Sequence, residues 1–273
     1  MKKIFFIILL ALVTIISCKK ENINMLDGKL KNFTMTTNTA DTNIVHTYYL
    51  NYNNNGYLNK IIYNNKPFII IEEPVSNKIR MRINQNIDSN STNEVYTDLY
   101  FYLNGNYFNS VTRLNAFTGL EDTIASYETE NSYIKDISHE YLLGYYYTYF
   151  NFEFNNGNII KFKNGYTNFF GWQYVDSIMV SYNSYLTQNI SKAPFQYIGY
   201  SYTYYSLPPV HLIDILFLLG INNYYPYQPN RNLIANINNI SQYTYSINNN
   251  LLNDMNIINN ITNFNQDIHF EYY

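Results

Sequence analysis

The sequence predicts a mainly β protein: a curved antiparallel sheet or partly open barrel of successive hairpins, with one buried helix near 210–219. Three observations predict it. Apolar and polar residues alternate in run after run, the two-residue period of strands with one face in water. Asparagine and glycine clusters fall between those runs, where hairpins need positive φ. The chain also carries 32 Tyr and 17 Phe in 273 residues, and aromatic residues favour strands. AT-rich codons would inflate Asn, Ile, Tyr, Lys and Phe together, so tyrosine abundance alone is not a binding signal.

The elements follow in order. Residues 18–42 read as a tether and first strand, the strand approached over 23–42, and 43–273 as a single antiparallel β domain. Tyr48 to Tyr52 and Tyr57 to Tyr63 flank the turn Asn53-Asn54-Asn55-Gly56. Ile79, Met81 and Ile83 alternate with Lys78, Arg80 and Arg82. Val95, Leu99, Phe101 and Leu103 share one face, with Tyr96, Asp98, Tyr100 and Tyr102 on the other. Asn104-Gly105 ends that strand. Phe150, Phe152 and Phe154 alternate with Asn151 and Glu153 before Asn155-Asn156-Gly157-Asn158. Asn248-Asn249-Asn250 separates two late strands. Ile268, Phe270 and Tyr272 alternate with Asp267, His269 and Glu271 at the end. One segment breaks the rule. Pro208-Pro209 introduces the apolar run 210–219, and Gly220 follows. Proline at the start and glycine past the end suit a helix, and one apolar nearly all round belongs in an interior.

The N-terminus reads as an export signal. Lys2 and Lys3 precede an apolar run over 4–13, too short for a spanning helix, which needs ~20 residues. Ile15-Ile16-Ser17-Cys18 resembles the lipobox of bacterial lipoproteins. The resemblance implies removal of residues 1–17 as a signal peptide and acylation (palmitate or a similar chain) of Cys18, the only cysteine. Lys19 is not the aspartate that such proteins use for inner-membrane retention, so the resemblance implies the outer membrane, facing either side. A lone thiol makes no internal disulfide.

Composition excludes one partner class. Losing Lys2 and Lys3 from 17 basic residues leaves 15 against 20 acidic ones. A weakly acidic chain lacks the basic field that nucleic acid requires.

The candidate sites are few. His211 and Asp214, three apart on the expected helix, would share one face as a proton-transfer dyad or as a buried polar pair satisfying itself. Paired acids at Glu72-Glu73, Glu121-Asp122 and Glu128/Glu130 fall where solvated turns are expected, and a glycan-processing hydrolase would need two of them across a cleft. No metal spacing, phosphate loop or nucleophile elbow is present, so neither a cofactor nor a metal is expected, and the chain does not read as an enzyme. The aromatic clusters Phe169, Phe170 and Trp172, and Tyr224, Tyr225 and Tyr227, are the binding candidates. Exposed, they would stack on a glycan or anchor a protein partner; buried, they would close the open end of the sheet.

The stretches Tyr-Leu-Asn-Tyr-Asn-Asn-Asn-Gly-Tyr-Leu-Asn-Lys-Ile at 49–61 and Phe-Glu-Phe-Asn-Asn-Gly-Asn-Ile-Ile-Lys-Phe at 152–162 resemble YD-type repeats. With the lipobox and the late helix, the chain resembles uncharacterised Bacteroidetes lipoproteins of porin-like fold. The resemblance implies a curved sheet with a helix packed into it and supplies no mechanism. The function expected is a non-catalytic envelope module for a glycan, peptide or partner protein. The alternatives are a structural subunit of an outer-membrane assembly and, last, the hydrolase.

Overall fold

The computed structural model describes residues 26–38, 42–87, 93–115, 117–130, 133–140, 147–168, 171–186, 219–224, 231–239, 241–260 and 264–273. Sixteen strands fill most of that length: β1 Leu30–Asn38, β2 Asn43–Tyr52, β3 Leu58–Tyr63, β4 Lys66–Ile71, β5 Lys78–Asn84, β6 Tyr96–Asn104, β7 Tyr107–Leu114, β8 Glu121–Glu130, β9 Tyr133–Glu140, β10 Tyr147–Asn155, β11 Asn158–Asn168, β12 Gly171–Leu186, β13 Asn232–Ile237, β14 Ser241–Asn248, β15 Leu251–Asn259 and β16 Phe264–Tyr272. Each pairs antiparallel with its sequence neighbour, and the sheet curls until β1 meets β16 and closes a barrel. The curved antiparallel sheet is therefore as expected. Its thinnest link is β13 to β14, where the two rungs Asn236↔Gln242 and Ile237↔Ser241 make the join.

Two expectations meet the described residues. The first strand, expected within residues 18–42, is part of the ring, paired with both β16 and β2. Of the expected helix, Leu219 alone lies among the described residues. Its backbone is helical, as is that of residues 220–221, and its side chain is fully buried. His211 and Asp214 lie outside the described residues.

The hairpins explain the asparagine. A two-residue turn matched to strand twist puts both central residues at positive φ. Asn64-Asn65 sits at 49° and 61°, Asn238-Asn239 at 55° and 57°, and Asn249-Asn250 at 51° and 59°. Asparagine tolerates that region better than other side-chain-bearing residues. Gly157, at 79°, completes the turn after Asn156, and a β-carbon there would come within 3.3 Å of Arg231 Cβ.

The core lies inside the ring. Phe33 stacks on Tyr48 at 5.0 Å, and Tyr48 on Tyr63 at 5.1 Å. Leu50, Leu58, Ile61, Phe68, Ile69, Ile79, Met81, Phe101, Leu252 and Phe270 join them in one cluster. Burying each such side chain contributes ~1.5–3 kcal/mol. The alternate residues point outward and carry the charges: Lys78, Arg80 and Arg82 on β5, Asp98 on β6, and Asp267, His269 and Glu271 on β16.

The connections that follow even-numbered strands, such as β2–β3 and β14–β15, lie at the end of the barrel where both termini meet. Here Gly28 N–H bonds Tyr273 O and Tyr273 N–H bonds Lys29 O. Tyrosines at this end reach across to main-chain carbonyls of the preceding strand. Tyr52 donates to Leu30 O, Tyr182 to Ile159 O, Tyr245 to Ile234 O and Tyr272 to Leu252 O, at 2.7–2.8 Å. Burial pushes all four phenols well above the usual range.

The long connection between β12 and β13 also ends here. Tyr57 turns its carbonyl to Asn53 on the β2 side, so Leu58 turns both backbone groups to the β4 side. There β4 has run out at Ile71. Asn222 replaces the missing strand: its Oδ1 accepts from Leu58 N–H at 2.8 Å and its Nδ2 donates to Leu58 O at 2.9 Å. Since β3 is six places round the ring from β13, this pairing ties the connection to a distant part of the wall.

Candidate binding surfaces

Three surface regions combine chemistry with exposure. The first is the outward face of β5 to β8. Cross-strand register sets Lys78 opposite Tyr102, Arg80 opposite Tyr100 and Arg82 opposite Asp98. Arg80 bonds Asp98 at 2.6 Å and Glu72 at 3.3 Å. The Lys78 ammonium pairs with Glu121 and sits 4.0 Å from the Tyr100 ring centre. Tyr102 donates to the same carboxylate at 2.6 Å. Arg82 lies over Tyr96 at 4.5 Å. Its Nε approaches Asp98 Oδ1 at 3.4 Å, a charge contact too poorly aligned for a hydrogen bond, and both atoms are shielded from solvent.

The titrations follow from these contacts. Hydrogen bonding to Asp98 outweighs desolvation and holds Arg80 above its ordinary value. Desolvation pulls Lys78 down, but Glu121 and Tyr102 outweigh it and the net shift is upward. Desolvation lifts Glu121, while bonds from Lys78, Thr112 and Tyr102 bring it below the usual carboxylate value. Burial and then Glu94 push Tyr96 up to about 12. The cations and ring faces are thus engaged with one another, and the network clamps neighbouring strands.

The second region is the β7–β8 connection, at the far end from the termini. Phe117 is 99 % exposed and Leu120 68 %. The loop that presents them is held by its own bonds. Asn115 Oδ1 accepts from Phe117 N–H at 2.9 Å and Thr118 N–H at 3.2 Å, and Asn115 N–H donates to Leu120 O at 2.8 Å. Asn115 Nδ2 also donates to Asp122 at 2.9 Å. Val95, Leu114, Ile44, Val45 and Ile258 are exposed apolar residues at strand ends of this same rim. An aromatic residue held out on an ordered loop suits an anchor for a partner's pocket. Sequence reasoning missed it; a phenylalanine inside the turn-forming stretch Asn115 to Gly119 was the available signal.

The third region holds Tyr224. It is half-buried, packs edge-on to Tyr57 at 6.5 Å and rests against the core. Burial first, then Glu73, raises its pKa. Tyr224 thus helps close the terminus end. Trp172 sits in β12 opposite Thr167, in a strand and not a loop. Phe169, Phe170, Tyr225, Tyr227 and Cys18 lie outside the described residues. Of the paired acids, Glu72 and Glu121 belong to the network above and do not stand free in turns. Glu73 accepts from Asn53 and Asn55. Among the described residues, no three His, Cys, Asp or Glu side chains gather in a way that could hold a metal ion.

Comparison with known proteins gives a fold likeness. No protein-family model matches the chain, and no curated protein does. Two solved structures are similar. A porin-like protein from Bacteroides uniformis ATCC 8492 aligns with a TM-score of 0.56 and 14% identity, over 90% of this chain and 98% of that one. A porin-like protein from Bacteroides vulgatus ATCC 8482 aligns with a TM-score of 0.52 and 13% identity, over 90% and 99%. At this identity the likeness establishes the shared antiparallel architecture.

Proposed function

We propose that the chain is a cell-envelope lipoprotein, acylated at Cys18 and held at the outer membrane, whose barrel works outside the bilayer as a non-catalytic binding module. The observation that carries this reading is the polarity of the wall. A membrane-spanning barrel is apolar outside and polar within. Here most described inward side chains are apolar and packed, His46 and Gln266 being polar members of that face, while Lys78, Arg80, Arg82, Asp98, Asp254, Asp267 and Glu271 face out. A lipid-facing Lys or Arg near the midplane costs about 2–4 kcal/mol, and Asp or Glu less. A charged set of this kind, spread over several strands, weighs heavily against immersion. The porin-like neighbours fit an envelope location.

The test is fractionation of cells carrying the wild-type chain or Cys18→Ser. The wild type should enter the detergent phase and the Cys18→Ser chain the aqueous phase. If Cys18→Ser still resists carbonate extraction from membranes, the barrel itself is embedded and the reading fails.

Phe117 and Leu120 favour a second reading, a subunit of a larger envelope assembly. Phe117→Asp should then shift the chain from a large to a small species on sedimentation of gently solubilised membranes. No shift would remove this reading.

A further inference from the structure

Most described tyrosines of the barrel have their rings or hydroxyls engaged, as set out above. Tyr49 does not. It lies on the outward face of β2, is 49 % exposed, and among the described residues its ring meets no other ring and its hydroxyl no partner. Register places it in one outward row with four neighbours: Glu271 opposite Asn32, Asn32 opposite Tyr49, Tyr49 opposite Ile62, and Ile62 opposite Pro67.

The row has a definite order of chemistry. Asn32 is 6 % exposed, and its Nδ2 donates to Glu271 Oε2 at 2.8 Å. That bond orients the carboxylate and leaves Oε1 without a partner among the described residues. Carboxylate and phenol ring stand two strand spacings apart, ~10 Å. The aliphatic Ile62 and Pro67 continue the surface on the other side of the ring. The rows on either side supply hydroxyl and amide groups. Thr34 and Thr47 bond each other at 3.0 Å, and Asn51 is exposed opposite Lys60.

We propose that this row is a subsite for a neutral oligosaccharide of hexopyranose units. A pyranose presents an apolar C–H face, and an aromatic ring with one wet side is the surface that face packs against. Glu271 would accept hydroxyl protons from the adjoining sugar. The same carboxylate repels uronic acids and sulfated sugars, which sets the preference for uncharged chains. The row runs across the strands of the outer wall, which suits an extended chain crossing several of them. This assignment rests on the binding-module reading and names its ligand class.

The experiment is calorimetric titration of the purified, exported chain with maltohexaose, cellohexaose, mannohexaose and laminarihexaose, and with oligogalacturonate as the anionic control. At least one neutral hexaose should bind. Tyr49→Ala should weaken it about tenfold or more, while Tyr49→Phe stays within about twofold. Glu271→Gln should weaken it and lessen the discrimination against oligogalacturonate. Because Tyr49 is half-exposed, the melting temperature of Tyr49→Ala should stay close to that of the wild type, which separates lost binding from lost fold. Absence of binding by all four hexaoses below about 10 mM overturns the proposal. So does binding that survives Tyr49→Ala, or tighter binding of the anionic control. Failure here with Cys18→Ser in the aqueous phase removes the sugar row and keeps the module; an embedded Cys18→Ser chain removes both.

Discussion

Replacing Asn222 with alanine should destabilise the barrel by about 3 kcal/mol. Two hydrogen bonds disappear together, from Leu58 N–H at 2.8 Å and to Leu58 O at 2.9 Å. Each bond contributes about 0.5–1.5 kcal/mol, and each buried backbone group left unpaired costs about 1–3 kcal/mol. Leu58 is 0 % exposed, so water replaces the lost partners poorly. At roughly 2–4 °C per kcal/mol for a domain of this size, the melting temperature should fall by about 6–12 °C. Urea unfolding followed by tyrosine fluorescence gives the free energy, and amide exchange at Leu58 gives the location. Asn222→Asp sharpens the test. It keeps an acceptor for Leu58 N–H but sets a carboxylate against Leu58 O, so it should be no better than alanine. A loss under about 1 kcal/mol, or unchanged Leu58 protection, would refute the view that Asn222 substitutes for a missing strand.

Three further outcomes are expected. Tyr182→Phe leaves Ile159 O, on a fully buried residue, without its 2.7 Å donor and should cost about 1–2 kcal/mol by urea unfolding. Tyr52, Tyr182, Tyr245 and Tyr272 have folded pKa values raised above their unfolded value near 10. Their contribution to stability is whole below pH ~10 and is lost as pH climbs beyond it. Absorbance at 295 nm should therefore rise in two stages, exposed phenols near pH 10 and the rest together with loss of the β circular dichroism signal; a single stage with the fold intact would contradict the burial. Glu121 has a lowered pKa, so its contribution is present above its ordinary value of 4.5 and is lost as pH falls through the folded value. Glu121→Gln should cost about 0.2–1 kcal/mol at pH 7 and make unfolding less sensitive to acid below pH 4.5.

Much of the wall was legible because strand signals are local. Ile79, Met81 and Ile83 are buried between Lys78, Arg80 and Arg82, as their alternation requires. The Asn53–Gly56, Asn104–Gly105 and Asn156–Gly157 turns fall between strands as expected. The turns at Asn64-Asn65 and Asn238-Asn239 escaped notice because they carry neither a glycine nor a run of three asparagines, although asparagine reaches the same backbone region. Val95 was placed with the apolar face, yet it precedes β6 and is 52 % exposed. What sequence could not reach depends on ring closure. The inclusion of β1, the tyrosine bonds to main-chain carbonyls and the Asn222–Leu58 tie all join residues distant in sequence. The surfaces followed the same rule. Tyr224 is aromatic and next to other tyrosines, which suggested display, but its contact with Tyr57 is a tertiary fact. Tyr49 looked like any other strand tyrosine until register placed it beside Asn32 and Glu271.

The bond between Asn32 and Glu271 spans 239 positions of the chain. A polypeptide made or exported from its N-terminus presents β1 first and β16 last, so the seam can be zipped only after nearly every other strand is available. Until then β1 has one neighbour and an open edge, and open edges recruit other chains. Closing so long a loop is entropically expensive and makes the seam a late event in folding. The barrel thus carries its own checkpoint: a molecule truncated before β16 keeps an unsealed β1, an edge open to aggregation, and only a chain that includes β16 can hide that edge.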